Sequence, residues 1–133
     1  MTKLLHLPRT KISTIEIDNN LSGETISVLP FLPKEHKLSF IIGSDQLTMF
    51  HVWSDWQKLL TAMPFLIFPR YGYPNEPLYE NMHVISHELL VGSNISSTKI
   101  RERVKLGLSV EEFVPVAVSE YINKHGLYIA VNP

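Results

Sequence analysis

The stretch LSFIIGSDQL, residues 38–47, decides the fold. Leu38 to Ile42 is a nearly unbroken apolar run closed by Gly43. A strand with one wet face would alternate polar and apolar residues, so an unbroken run predicts a parallel strand buried on both faces. Working outward, the pattern from Gln46 to Leu60 predicts a helical region interrupted near Ser54 and Asp55, either of which suits the cap of its second half. Phe65 to Phe68 (FLIF) predicts a second buried strand. The following PRYGYPNEP, with three prolines and a glycine, predicts a loop. His83 to Ser86 (HVIS) predicts a third short strand. Strands alternating with helices imply an α/β fold with a parallel sheet, whose ligands bind outside the carboxyl ends of the strands.

Upstream, Ser13 to Ile17 (STIEI) alternates and predicts a short strand, closed by Asp18, Asn19 and Asn20. In LSGETISVLPFLPKEH a helix starts around Thr25, and Pro30 and Pro33 end it early. Downstream, Thr98 to Leu106 places Ile100 and Val104 on one helical face, with Gly107 positioned to stop the helix. Ser109 and Glu112 form a Ser-x-x-Glu capping box, with Leu108 and Phe113 at the positions of a hydrophobic staple, which predicts a second short helix. Pro115 suits the first turn of a third, which buries Val118 and Ile122 and ends at Gly126.

A chain of 133 residues suits one domain, 1–133. Twelve Lys and Arg against 13 Asp and Glu give a net charge of −1, without the basic excess that a nucleic-acid partner attracts. There is no cysteine, which removes disulfides, thiolate metal sites and cysteine nucleophiles together. The opening MTKLLHLPRTK is too short an apolar run for a signal peptide, and no segment approaches the roughly 20 apolar residues of a membrane span. A cytoplasmic protein with no membrane partner is the expectation. His83 and His87 are spaced i, i+4, which suits a metal only on a helix, while VIS between them reads as strand, so no metal site is expected.

Ser96, Ser97 and Thr98 precede the first C-terminal helix, and Arg101 follows one turn later. One hydroxyl suffices for a cap, and Ser and Thr cluster at helix starts for that reason alone. A helix start also offers free N–H groups and the positive end of the helix dipole, so three hydroxyls and an Arg would complete an anion site. Pattern alone leaves both readings open.

The three-part pattern ISSTKIR (95–101), GLSVEEFVPVAVSEYI (107–122) and GLY (126–128) closely resembles the C-terminal signature of bacterial nicotinate-nucleotide adenylyltransferases, in the nucleotidylyltransferase superfamily. FIIGSDQLTMFHVWSDW (40–56) is similar to that family's strand, Gly-x-Asp turn and tryptophan-bearing helix, and FPRYGYP (68–74) resembles its Arg-x-Gly-Tyr segment. GETISVL (23–29) is similar to its Ser-Tyr-Thr-x-x-Thr-Leu element, keeping Thr25 and Leu29 but with Gly23 and Glu24 in place of the first two residues. The resemblance covers nearly the whole chain. It implies a doubly wound parallel sheet of the Rossmann-like nucleotidylyltransferase type with a C-terminal helical segment, and a cytoplasmic transferase of NAD biosynthesis. That enzyme moves AMP from ATP, with Mg²⁺, to nicotinate mononucleotide and releases pyrophosphate. Residue by residue, the resemblance implies that Ser96, Ser97, Thr98 and Arg101 hold the ATP phosphates. Gly43 admits the nucleotide to the backbone, Asp45 binds a ribose hydroxyl, and Arg70 lies over adenine. Trp53 stacks on the pyridine ring, and Thr25 sits beside the nicotinate carboxylate.

Each residue also has a plainer reading. Trp53 and Trp56 at i, i+3 beside Phe50 and Leu60 suit core packing, Asp45 suits a cap before Gln46, and Arg70 in a Pro-rich loop suits a solvated side chain. The family's Gly-x-Phe-Asp-Pro-x-His-x-Gly-His loop is not in the sequence, whose six histidines stand at 6, 36, 51, 83, 87 and 125, and no catalytic residue is assigned. The resemblance therefore implies a fold incomplete at its N-terminus, lacking the first βαβ unit. Its strand edges and apolar faces would be uncovered unless a homo-oligomer or a further N-terminal segment completes the sheet. The alternative function is an inactive nucleotide-binding or interaction module derived from the family. A relative with a pantetheine or cytidylyl acceptor is a third reading, against which the Trp53 block argues.

Overall fold

The computed structural model describes residues 8–129, which form two compact units. One is Ser13–Asn94; the other, among the described residues, comprises 8–12 and 95–129.

The larger unit is built on three parallel strands, β1 (Phe40–Gly43), β2 (Phe65–Phe68) and β3 (Met82–Val84), in the order β1-β2-β3. Phe40 pairs with Phe65 and Phe65 with Met82, and Ile42 pairs with Ile67 and Ile67 with Val84, so these residues share one face. Against that face pack a 3₁₀ helix, Ser44–Val52, and α3 (Trp56–Ala62), which follows α1 (Ile15–Asp18) and α2 (Thr25–Val28) in the chain. The core joins Ile42, Leu47, Phe50, Leu59, Met63, Phe65, Ile67 and Met82. Phe50 is its hub, with ring centroids 5.1 Å from Phe65, 5.3 Å from Trp53 and 6.1 Å from Tyr79.

The parallel sheet is as the apolar runs predict, but burial on both faces is not. On the opposite face Ile41 is 64% exposed and His83 is also exposed, with Leu66 half-buried between them. Both elements of the β1-to-β2 connection lie on the Ile42 side, which is why only that face closes.

Two local expectations change. STIEI forms no strand, and its last three residues open α1, which is wound by local bonds, with Asp18 N–H donating to Thr14 C=O at 2.8 Å and the Thr14 hydroxyl to Asp18 Oδ2 at 2.6 Å. Alternation predicts a strand only where a neighbouring strand exists to pair, and Thr, Asp and Asn compete with local bonds. The Gln46–Leu60 region is interrupted near Ser54 and Asp55 as expected, with Asp55 (φ +51°) at the N-cap position of α3, but its first half is 3₁₀. The buried residues explain the winding: Ser44, Leu47 and Phe50 recur every third residue, and a helix with three residues per turn stacks them in one row. α2 passes into a 3₁₀ turn, Leu29–Phe31, at Pro30, as the prolines predict.

In the second unit α4 (Ser97–Lys105) and α5 (Val116–Lys124) bury Ile100, Val110 and Ile122, with Val104, Val114, Val118, Leu127 and Tyr128 around them. α4 ends in a Schellman motif: Gly107 (φ +68°) donates to Val104 C=O at 3.0 Å and Leu108 N–H to Arg103 C=O at 2.9 Å. α5 ends the same way at Gly126, with Leu127 N–H donating to Ile122 C=O at 3.0 Å. The helix expected from the Ser109 capping box is only a turn, in which the Ser109 hydroxyl accepts from Glu111 N–H at 3.2 Å. Pro115, extended at ψ 144°, begins α5 and restricts Val114 before it, leaving no room for a helix to propagate. The staple residue Phe113 packs instead under the Arg103 guanidinium, 4.6 Å from the ring centroid. Among the described residues no helix is long and apolar enough to cross a membrane.

Candidate functional site

In a parallel sheet the strand ends converge at one edge, and here β1 and β2 deliver Gly43, Ser44, Asp45 and Arg70 to it. Ser44 continues the inward alternation of Ile42 and is wholly buried. Its hydroxyl accepts the Arg70 N–H at 3.0 Å, fastening the end of β2 to the end of β1. Arg70 Nε lies 2.7 Å from Asp45 Oδ1, with only 29% and 20% of the two side chains exposed. The pair is held by charge at close range rather than by a well-aligned hydrogen bond. It lies over Gly43, where a Cβ would overlap Asp45 Oδ1 and Arg70 Nε. Glycine is needed here for space, since its backbone (φ −75°, ψ 149°) is open to any residue.

The plainer readings of these residues do not hold. Arg70 is not simply solvated, and the N-cap position of the 3₁₀ helix falls at Gly43, so Asp45 sits in the first turn with its side chain turned to Arg70. Gln46 Nε2 donates to the second carboxylate oxygen of Asp45 at 3.3 Å.

A second feature of this unit is a pocket of about 350 Å³ lined by Gly23, Glu24, Thr25, Val52, Trp53, Ser54 and Leu59. Thr25 and Trp53, far apart in the chain, meet here. Trp53 meets Phe40 edge-on at 6.2 Å and Phe50 tilted at 5.3 Å, so the indole is core packing on one side and pocket wall on the other. The core-packing reading of Trp53 therefore holds for one side of the ring, and its other side lines a pocket. The start of α2 is tied to this wall by a hydrogen bond from the Ser54 hydroxyl to Glu24 Oε1.

In the other unit Ser96 is the N-cap of α4, its Oγ accepting from Lys99 N–H at 3.3 Å. The cap thus uses the first of the three hydroxyls. Those of Ser97 and Thr98 lie on exposed residues of the first turn, which carries no acidic residue. Arg101 Nη2 donates to Thr98 Oγ1 at 3.1 Å, which sets the guanidinium beside that turn. Two hydroxyls, uncapped N–H groups and a cation at one helix start make an arrangement that accepts an anion.

Sequence reasoning missed Ser44 and the Glu24–Ser54 contact. The period-2 alternation of β1, extended past Gly43, places Ser44 inward and was the available signal. Glu24 and Ser54 meet only through the packing of α2 beside the helix interruption at Trp53–Asp55, which no local pattern encodes.

The cytidylyltransferase-like family model matches residues 6–103. The chain is 33% identical over 124 residues to the probable nicotinate-nucleotide adenylyltransferase of Lactiplantibacillus plantarum, a match that takes 91% of this chain and 57% of that protein. It is 32% identical over 136 residues to the protein of the same name from Corynebacterium jeikeium, covering 92% of this chain and 68% of that one. Among solved structures it is similar to the nicotinic acid mononucleotide adenylyltransferase of Plasmodium falciparum complexed with NaAD. That likeness has a TM-score of 0.64 at 22% identity and covers 79% of this chain and 57% of the other, and it establishes the fold as that of a nucleotidylyltransferase. The chain therefore spans little more than half the length of the first curated relative it matches.

Proposed function

We propose, because the chain belongs to the nicotinate-nucleotide adenylyltransferase family of cytidylyltransferase-like proteins, that it recognises the substrates of an enzyme that transfers AMP from ATP to nicotinate mononucleotide in NAD biosynthesis. The single observation that carries this reading is the meeting of Thr25 and Trp53 in one pocket, half of whose indole wall is fixed by Phe40 and Phe50. A flat, immobilised aromatic wall suits a pyridine ring, and a hydroxyl beside it suits the ring's polar substituent.

The reaction is an in-line displacement. An oxygen of the mononucleotide phosphate forms a bond to the α-phosphorus of ATP, the bond from that phosphorus to the bridging oxygen breaks, and pyrophosphate leaves with the electron pair. Little covalent chemistry falls to the protein, so catalysis rests on positioning and on neutralising phosphoryl charge. In this reading the Ser97 and Thr98 hydroxyls, the first-turn N–H groups of α4 and Arg101 take the phosphate oxygens, while Ser96 keeps its capping bond. Gly43 lets the nucleotide approach the backbone, Asp45 accepts from a ribose hydroxyl, and the Arg70 plane covers adenine. Mg²⁺ carried by ATP would supply positive charge at its phosphates.

The second reading is a binding module without turnover. Incubation with MgATP and nicotinate mononucleotide separates the two. Dinucleotide and pyrophosphate in equal amounts support the transferase. Saturable binding without product supports the module, and no binding of either substrate contradicts both.

A further inference from the structure

The pocket of Thr25 and Trp53 carries one group that does not suit an anionic ligand. Glu24 occupies the N-cap position of α2 with extended backbone (φ −80°, ψ 132°), yet its side chain makes no capping bond. Its carboxylate is instead held by two hydroxyls: Ser54 donates to Oε1, and Ser22 donates to Oε2 at 3.2 Å. Ser54 follows Trp53 directly, and Glu24, Thr25, Trp53 and Ser54 line the same pocket. The acidic group is therefore fixed on the wall that adjoins the indole.

Nicotinate and nicotinamide differ only in the ring substituent. The first carries a carboxylate, and the second a neutral carboxamide with two N–H donors. A fixed carboxylate repels the first and accepts a hydrogen bond from the second. Glu24 also stands where the chain departs from the Ser-Tyr-Thr element that it otherwise resembles.

We propose that Glu24 is a specificity-determining residue of this pocket, disfavouring a ring carboxylate and favouring a ring carboxamide, so that the chain binds nicotinamide mononucleotide at least as tightly as nicotinate mononucleotide. The inference rests on the reading of the pocket as the pyridine site. Glu24 is exposed, so solvent screens the repulsion, and an effect of roughly threefold to tenfold in affinity is expected, shrinking as salt is raised.

The test titrates each mononucleotide into the wild-type chain and into Glu24→Gln, a variant that keeps the size and hydrogen-bonding reach of the side chain, with thermal melting as the check on folding. The Trp53 indole N–H resonance, assigned with Trp53→Phe, reports where the ligand sits. The wild type binds the amide at least as well as the acid. Glu24→Gln tightens the acid by about threefold to tenfold and leaves the amide within about twofold. A strong wild-type preference for the acid, or an unchanged ratio in Glu24→Gln, overturns the role of Glu24 while a shifting indole upholds the pocket. An indole that does not move at saturation, or no saturable binding of either ligand, overturns the pocket reading and the proposal with it.

Discussion

Arg70 Nε stands 2.7 Å from Asp45 Oδ1, and the two side chains close over the α-carbon of Gly43. The pair joins the ends of two adjacent strands a second time, beside the buried bond from Arg70 N–H to Ser44 Oγ. Gly43→Ala adds a methyl where the pair lies, so it should cost about 1–3 kcal/mol by overpacking. Because the Gly43 backbone is in the extended region, the cost is steric and should largely vanish when Gly43→Ala is made in an Asp45→Ala, Arg70→Ala background, which removes both overlapping side chains. Chemical denaturation of the four proteins measures it.

In the proposed function the first turn of α4 divides capping, by Ser96, from phosphate binding, by Ser97 and Thr98. Ser96→Ala removes the bond to Lys99 N–H and should cost about 1 kcal/mol of stability. Ser97→Ala with Thr98→Ala should change stability by less than about 0.5 kcal/mol, as exposed positions do, yet weaken ATP by about tenfold through the loss of two hydroxyls. Thermal melting and ATP titration of the same variants check both halves.

Gly107 stops α4 with φ +68°. Gly107→Ala should destabilise the chain by roughly 1 kcal/mol, because a Cβ is strained in the left-handed region. Gly107→Asn should cost less, since Asn tolerates that conformation. Melting curves of the two variants rank them.

The sheet's uneven burial gives a fourth expectation. Ile67 is wholly buried, and Ile67→Ala should cost about 2–5 kcal/mol. Ile41, in the adjacent strand but 64% exposed, should tolerate Ile41→Thr within about 0.5 kcal/mol. Equal costs would mean that both faces are covered in solution.

The sheet was legible because LSFII and FLIF are apolar runs bounded by breakers, and a parallel strand is the local structure they suit; HVIS, with polar residues at both ends, located the third strand but missed its bounds, which are Met82–Val84. STIEI was misread because alternation says nothing about a pairing neighbour, and the Thr14–Asp18 bond outweighed it. The Ser109 box was misread because Pro115 acts on the residue before it, a constraint from outside the four-residue motif. Gly107 and Gly126 were legible as stops because a left-handed terminus demands glycine locally. The site divided the same way. The cap at Ser96 follows from its own neighbours, whereas the contact between Glu24 and Ser54 depends on two segments that only the core brings together.

The most direct test of the account is equilibrium binding of the dinucleotide product, nicotinic acid adenine dinucleotide, to the wild type, Trp53→Phe, Arg70→Ala and the double variant. The account predicts saturable binding, weakened by each single substitution and further by both together, since each residue holds a different half of the ligand. Binding that neither substitution alters, or none at millimolar ligand, would contradict it.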